Sequence, residues 1–232
     1  MKLTNAEPRR LTQLSTITVV VIVLCVISII LLHLLQPAIS PIRIPMSAYA
    51  LGPYAPLFVF CVFCAPLIMA SQAIGIHRSL QRPIIRSKLA LIPAFIAGIA
   101  WLLVAVVHSH SLMDDTIAAR IHSGAFRLAM LWMLIAMLRL SVHFRTDDGW
   151  RAFAAPSMVL ASTALVIFVA TFVALYTNYR TWVIPIFGAL QRIMLALVLL
   201  WSFLAALHLR GIARYRAIGL SLGRIETGAT GL

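Results

Sequence analysis

Acidic residues are scarce in this sequence, which has six Asp and Glu against 19 Lys and Arg. All charged residues together make up 11% of the chain, whereas an average soluble domain has about 25%. Together with 62% hydrophobic residues, this excludes an ordinary soluble domain and indicates an integral membrane protein. None of the acids lies within a long apolar run, so a proton relay built on intramembrane carboxylates is not expected.

Cysteine is also rare: Cys25, Cys61 and Cys64 all lie in apolar runs, so no disulfide framework is predicted. The net charge of +13 comes from Lys and Arg spread over short loops, not from one basic face, so no nucleic-acid partner is expected. The histidines follow no tight metal-ligand spacing such as His-Glu-x-x-His. We therefore predict no metal site and no cofactor.

What the sequence has in abundance is long apolar runs, each sufficient to cross a hydrocarbon core of about 30 Å as a helix. The six runs cover about residues 16–35, 52–74, 89–107, 121–142, 153–176 and 183–208. The first is too long for a secretory signal and is taken as a retained helix. The prediction is an all-α integral membrane protein, a six-transmembrane-helix bundle forming a single transmembrane domain over residues 1–232.

The loops predict the orientation of this bundle. Lys and Arg are concentrated before the first run, between the second and third, between the fourth and fifth, and after the sixth. The three opposite loops carry only Arg43, Arg120 and Arg180. Because an excess of Lys and Arg marks the cytoplasmic side, both termini are predicted to be cytoplasmic. The Pro-rich first outer loop is predicted to be extended or turning instead of helical.

Of the arginines within the apolar runs, Arg127 and Arg192 are the most informative. Counted from the predicted outer helix ends at 1.5 Å per residue, Arg127 is roughly 9 Å deep and Arg192 roughly 13 Å deep. An arginine at the centre of a membrane helix costs about 2.5–3.5 kcal/mol on insertion scales. Three compensations stay open: snorkelling to the headgroups, an internal polar network, or a bound anion, whose oxygens match the guanidinium geometry.

The polar residues of the outer half converge on one predicted site. If the fourth helix begins early enough to include Asp115, then Asp115 and His122 lie on the same face of that helix. In the sixth run, Gln191 lies beside Arg192. The first hypothesis is an outward-facing pocket for an anionic lipid headgroup or small anion, with membrane lipids as partners. The second is a lipid hydrolase or transferase using His33 or His122 with Asp114 or Asp115. The third is a structural subunit whose polar residues only join helices.

Three motifs resemble a known family. The segment HLLQPAISPIRIPMSAYALGPY at 33–54, the helical motif IHSGAF at 121–126 and GALQR at 188–192 are similar to the signatures of a bacterial multi-pass membrane family catalogued as domain of unknown function 998. The resemblance implies six helices and a location in the bacterial cytoplasmic (inner) membrane. It implies no reaction, and it points to six positions: His33, Ser47, Tyr49, His122, Gln191 and Arg192.

Overall fold

The computed structural model describes residues 6–80, 85–107, 116–177 and 180–229. Its long helices are α1 (Ala6–Leu35), α2 (Ala55–Ser79), α3 (Ile85–Val106), α4 (Ile117–Phe144), α5 (Arg151–Leu175) and α7 (Phe187–Ala229). Shorter elements are a 3-10 helix at Met46–Leu51, the helix α6 (Arg180–Val183) and a 3-10 turn at Ile184–Ile186. Within these described ranges all regular structure is helical, as a chain that must satisfy its backbone hydrogen bonds away from water requires.

Five helical segments are long and apolar enough to cross a membrane, namely α1, α2, α4, α5 and the segment Thr181–Ser221, which runs from α6 through the 3-10 turn into α7. In α3 the apolar stretch over Ile92–Val106 is shorter. Their outward faces carry exposed branched side chains such as Val20, Ile27 and Val166, which suits contact with lipid tails. The fold class of an all-α, multi-pass membrane protein is therefore confirmed.

The long helices form a closed ring around one core. Each helix packs against its neighbour in the chain from α1 to α5, and α7 closes the ring against both α5 and α1. The helices α3 and α4 pack extensively against each other, and both bury small side chains, Ala97 and Ala100 in α3 and Ala129 in α4, which let two membrane helices approach. Interhelical hydrogen bonds add to this packing, as where the Trp201 indole N–H donates to Ser157 Oγ at 2.7 Å.

The helices alternate in direction, so their termini collect at two ends of the bundle. At one end, here called the basic end, Arg216 of α7 pairs with Glu7 of α1 at 3.8 Å. The Trp150 indole N–H donates to Ser79 Oγ at 2.9 Å there, which joins the start of α5 to the end of α2. The opposite end, here called the loop end, carries the connection 36–54 and the first turns of α4 and α7.

Three details differ from the predictions. The first helix begins at Ala6, ten residues before the predicted start near residue 16. The first outer loop is partly helical, because Pro45 sits at the N-cap of a proline-free 3-10 helix over Met46–Leu51. The last helix does not end near residue 208 but continues to Ala229. Beyond the apolar run, α7 contains Ala, Leu and Arg, which are good helix formers, and no proline, so the helix continues where the hydrophobicity ends.

Candidate ligand-binding site

The connection 36–54 lies against the first turns of α7 at the loop end. The backbone N–H of Met46 donates to Gln191 Oε1 at 2.7 Å, and the N–H of Ala189 donates to the carbonyl of Ile42 at 2.9 Å. Gln191 is buried, so its amide oxygen satisfies a backbone donor that is shielded from water. This part of the chain is therefore a fixed part of the bundle.

Gly188 makes this close approach possible. A Cβ atom at this position would lie 2.5 Å from the carbonyl oxygen of Ile44 and 2.9 Å from that of Pro41. Both are backbone atoms, which cannot move aside as a side chain would. The loop can therefore rest on α7 only because residue 188 has no side chain.

Arg192 stabilises the same contact. Its Nη1 group donates to the carbonyls of Ile44 at 2.9 Å and Gly188 at 3.0 Å, and its Nε donates to His33 Nε2 at 3.0 Å. The guanidinium carbon also lies 5.9 Å from the centre of the Tyr49 ring, within range of a cation–π interaction. The deep arginine is thus compensated in part by internal partners from α1, the loop and α7, while its buried Nη2 has no hydrogen-bond partner among the described residues.

His33 is held in one orientation by two hydrogen bonds. Its Nδ1 lies 2.7 Å from the carbonyl oxygen of Ile29, and since a carbonyl only accepts, Nδ1 carries the proton. The unprotonated Nε2 then accepts from Arg192. The Tyr49 ring, which is fully buried, packs against His33 with a centroid distance of 5.3 Å. With both ring nitrogens engaged, His33 has none available as a general base in this arrangement.

Beside this network lies a cavity of about 460 Å³, within the range of about 300–1,000 Å³ that is usual for ligand pockets. Its inner walls are apolar and come from all six long helices, including Phe58, Val62, Trp101, Phe172 and Leu195. Part of the wall is fixed by aromatic packing, since Trp101 and Phe126 meet edge to face at 5.8 Å. The cavity is shaped for an apolar occupant over most of its depth.

The polar part of this cavity is a cluster at the loop end, here called the rim: Ser47, Arg120, His122, Ser123, Arg127 and Tyr176. Arg127 Nε donates to the carbonyl of Ser123 at 3.1 Å and Nη2 to its hydroxyl at 3.3 Å, while Nη1 donates to the Tyr176 hydroxyl. An arginine has five N–H donors, so two remain. All three of these partners of Arg127 are neutral groups.

His122 is the most buried member of the rim, with 9% of its surface exposed. Its Nδ1 lies 2.7 Å from the carbonyl oxygen of Val107, which joins the start of α4 to the end of α3. Because that carbonyl accepts, Nδ1 carries a proton. His122 is therefore positioned by the fold through this bond.

The predicted site residues thus separate into two neighbouring groups. Ser47, His122, Arg127 and Gln191 line the cavity. His33, Tyr49 and Arg192 form the internal network described above and are not among its lining residues. Asp115, like Asp114, lies outside the described residues. Gln191 belongs to both groups: its side-chain amide oxygen accepts from the Met46 N–H, and the residue also lines the cavity.

Two residues of the site are missed by the sequence predictions. Tyr176 is not among the predicted site residues, and Gly188 appears only within the motif GALQR, although a glycine one turn before a polar pair in a membrane helix is a signal of close backbone approach. Among the described side chains no three of His, Cys, Asp and Glu cluster as metal ligands would. The hydrolase or transferase alternative stays a prediction.

A family model described as protein of unknown function (DUF998) matches residues 19–208. This range includes all three motifs on which the resemblance was based, at 33–54, 121–126 and 188–192. No curated protein and no solved structure matches the chain. The family model thus spans both the internal network and the cavity.

Proposed function

The chain belongs to the DUF998 family, and we propose that it binds an anionic membrane lipid, whose phosphate lies at the rim and whose acyl chain enters the cavity. One observation carries this proposal: a single cavity joins an arginine-containing rim to apolar walls. A small inorganic anion would use only the rim. An amphiphile with a negative headgroup would use both parts.

The proposal includes a topology. The chain crosses the bacterial cytoplasmic membrane six times, with α3 as the sixth crossing and both termini in the cytoplasm. The support is the distribution of positive charge, because Arg78, Arg145, Arg214 and Arg216 all belong to the basic end and such residues favour the cytoplasmic side. The rim then faces outward, at the depth of the outer leaflet's headgroups.

The rim offers donors suited to a phosphate. Two N–H groups of Arg127 remain after its internal bonds, and guanidinium groups bind phosphate oxygens in a bidentate manner. The Tyr176 hydroxyl accepts from Arg127, so its own proton can be donated to a ligand. Arg120 and Ser123 border the same opening. The positive charge of Arg127 is oriented by neutral partners and not cancelled by them.

The apolar walls contribute the second half of the recognition. Burying an acyl chain is favourable by about 0.8 kcal/mol for each CH₂ group removed from water, although a lipid leaving a bilayer gains much less because its chain was already in an apolar medium. The walls therefore accommodate the chain, and the rim selects the headgroup. We expect anionic lipids to be preferred over zwitterionic ones.

Lipid retention by the purified protein tests this proposal. The wild type and Arg127→Ala are reconstituted with equal amounts of phosphatidylglycerol and phosphatidylcholine, repurified and compared by native mass spectrometry. Arg145→Ala is the matched control, because Arg145 ends the same helix, is exposed and lies away from the cavity. A lost hydrogen bond to a charged group costs about 1.5–3 kcal/mol, so phosphatidylglycerol binding should weaken about tenfold to a hundredfold in Arg127→Ala alone.

A competition arm identifies the source of the phosphate. Free inorganic phosphate should not displace the bound lipid if the acyl chain contributes to binding. Displacement by phosphate would show a small-anion site instead of a lipid site and would overturn the proposal. Equal retention of the two lipids, or equal retention by the wild type and Arg127→Ala, would also overturn it.

A further inference from the structure

Two cysteines meet where α1 and α2 cross. Cys25 Sγ and Cys61 Sγ are 3.1 Å apart. Each sulfur also contacts the other residue's carbonyl oxygen, Cys25 Sγ at 3.8 Å and Cys61 Sγ at 3.7 Å. These reciprocal contacts show that the two backbones approach closely at this point. The close pair is thus Cys25 with Cys61, and not Cys61 with Cys64 as the Cys-x-x-Cys spacing within α2 would suggest.

The pair is reached from the cavity. Both cysteines line its wall, with 6% and 7% of their surfaces exposed. They belong to an apolar cluster that also buries Ile22, Cys64 and Ile68. A charged, water-soluble oxidant would have to leave the polar rim and enter this apolar part of the cavity. An apolar oxidant small enough for the cavity can approach the sulfur atoms.

We propose that Cys25 and Cys61 form a reversible disulfide when the protein meets a two-electron oxidant of the quinone class. The two S–H bonds break and one S–S bond forms. Both electrons and both protons pass to the quinone, which becomes the hydroquinone, so the reaction balances without another reactant. A quinone is apolar and resides in the membrane, which matches the surroundings of the pair.

The geometry requires little movement. A disulfide bond is about 2.05 Å long, so the sulfur atoms must approach by about 1 Å from their separation of 3.1 Å, which rotation about the Cα–Cβ bonds can supply. The disulfide bond would link α1 covalently to α2 within the cavity wall and restrict the movement of these two helices relative to each other. The cysteine pair includes neither Arg127 nor another rim residue, but it borders the same cavity, so a bound acyl chain would compete with the quinone for access.

The test oxidises the full-length protein in detergent with tetramethyl-1,4-benzoquinone, whose substituted ring cannot add thiols in the way an unsubstituted quinone does. We expect the intact mass to fall by two hydrogen atoms, and non-reducing peptide mapping to join the segments containing Cys25 and Cys61. Cys64→Ser is the matched control and should still form the link. Cys25→Ser and Cys61→Ser should not, and either variant suffices if the other fails to fold.

A second arm uses glutathione disulfide, which is large and charged, at the same oxidising strength. Slow oxidation by this reagent and fast oxidation by the quinone support access through the apolar cavity. Equal rates would overturn the proposed route. A link from Cys64 to either partner, or the absence of any link in the folded wild type, would overturn the assignment of the pair itself.

Discussion

Replacing Gly188 by alanine tests whether the loop-end contact is as close as the structure indicates. In an unobstructed helix this substitution stabilises by about 1 kcal/mol, because glycine loses more backbone entropy on folding. Here the new Cβ would lie 2.5 Å from the carbonyl oxygen of Ile44. The loop must move away, and the sign of the effect should reverse.

The magnitude follows from what the movement breaks. Forcing a methyl group into a packed site costs about 1–3 kcal/mol. The bond from Ala189 N–H to Ile42 is worth about 1 kcal/mol, and the charged bond from Arg192 to Ile44 about 1.5–3 kcal/mol. After the helical gain is subtracted, we expect a net destabilisation of about 2 kcal/mol or more. At about 2–4 °C per kcal/mol for a chain of this size, the Tm should fall by about 4–8 °C.

Thermal unfolding in detergent, followed by the fluorescence of the five tryptophans, measures this change. Gly211→Ala is the control, because Gly211 lies in the same helix and a Cβ there would meet no atom within 4 Å. That variant should keep or slightly raise the Tm. If Gly188→Ala raised the Tm as much as Gly211→Ala does, the close packing of the loop on α7 would be refuted.

Two further predictions concern the two arginines. Arg192→Ala and His33→Ala should each lower the Tm. The loss of unfolding free energy in the double variant should be smaller than the sum of the two single losses, by about 0.5–3 kcal/mol, because the two residues share one hydrogen bond. If the losses of unfolding free energy in the two single variants simply add in the double variant, the hydrogen bond contributes nothing to stability. Tyr176→Phe keeps the ring but removes the hydroxyl that accepts from Arg127. Phosphatidylglycerol retention should therefore fall, but less than in Arg127→Ala. Retention equal to wild type would show that the Tyr176 hydroxyl does not contribute to lipid binding at the rim.

Hydrophobicity alone predicted which segments are helical but not where each helix ends. The apolar runs mark the part of a helix that contacts lipid or core, whereas the helix itself stops where backbone geometry or sequence forces it to. α1 therefore begins at Ala6, ten residues before its apolar run, and α7 continues to Ala229. The charged turns at these ends are as helical as the apolar ones, and no apolarity scale contains that information.

The polar site was predictable in position but not in its pairings. Helix direction and depth place His33, His122, Arg127 and Arg192 at one end, and this needs only chain order. Which of them meet depends on how the loop 36–54 folds back, because Met46 and Ile44 bring backbone groups to Gln191 and Arg192. Contacts between a side chain and a distant backbone group leave no periodic pattern in the sequence.

Arg127 and Arg192 have the same chemistry and similar depth but differ in what surrounds them. For Arg192, Nε and Nη1 are directed at a histidine nitrogen and two carbonyls that the fold holds in place, so its charge stabilises the bundle. Arg127 shares its donors with Ser123 of its own helix and with the exposed Tyr176, and it lines a cavity. Because a ligand must compete with the existing partners of an arginine, the rim at Arg127 is where an anion can be accommodated without dismantling the fold.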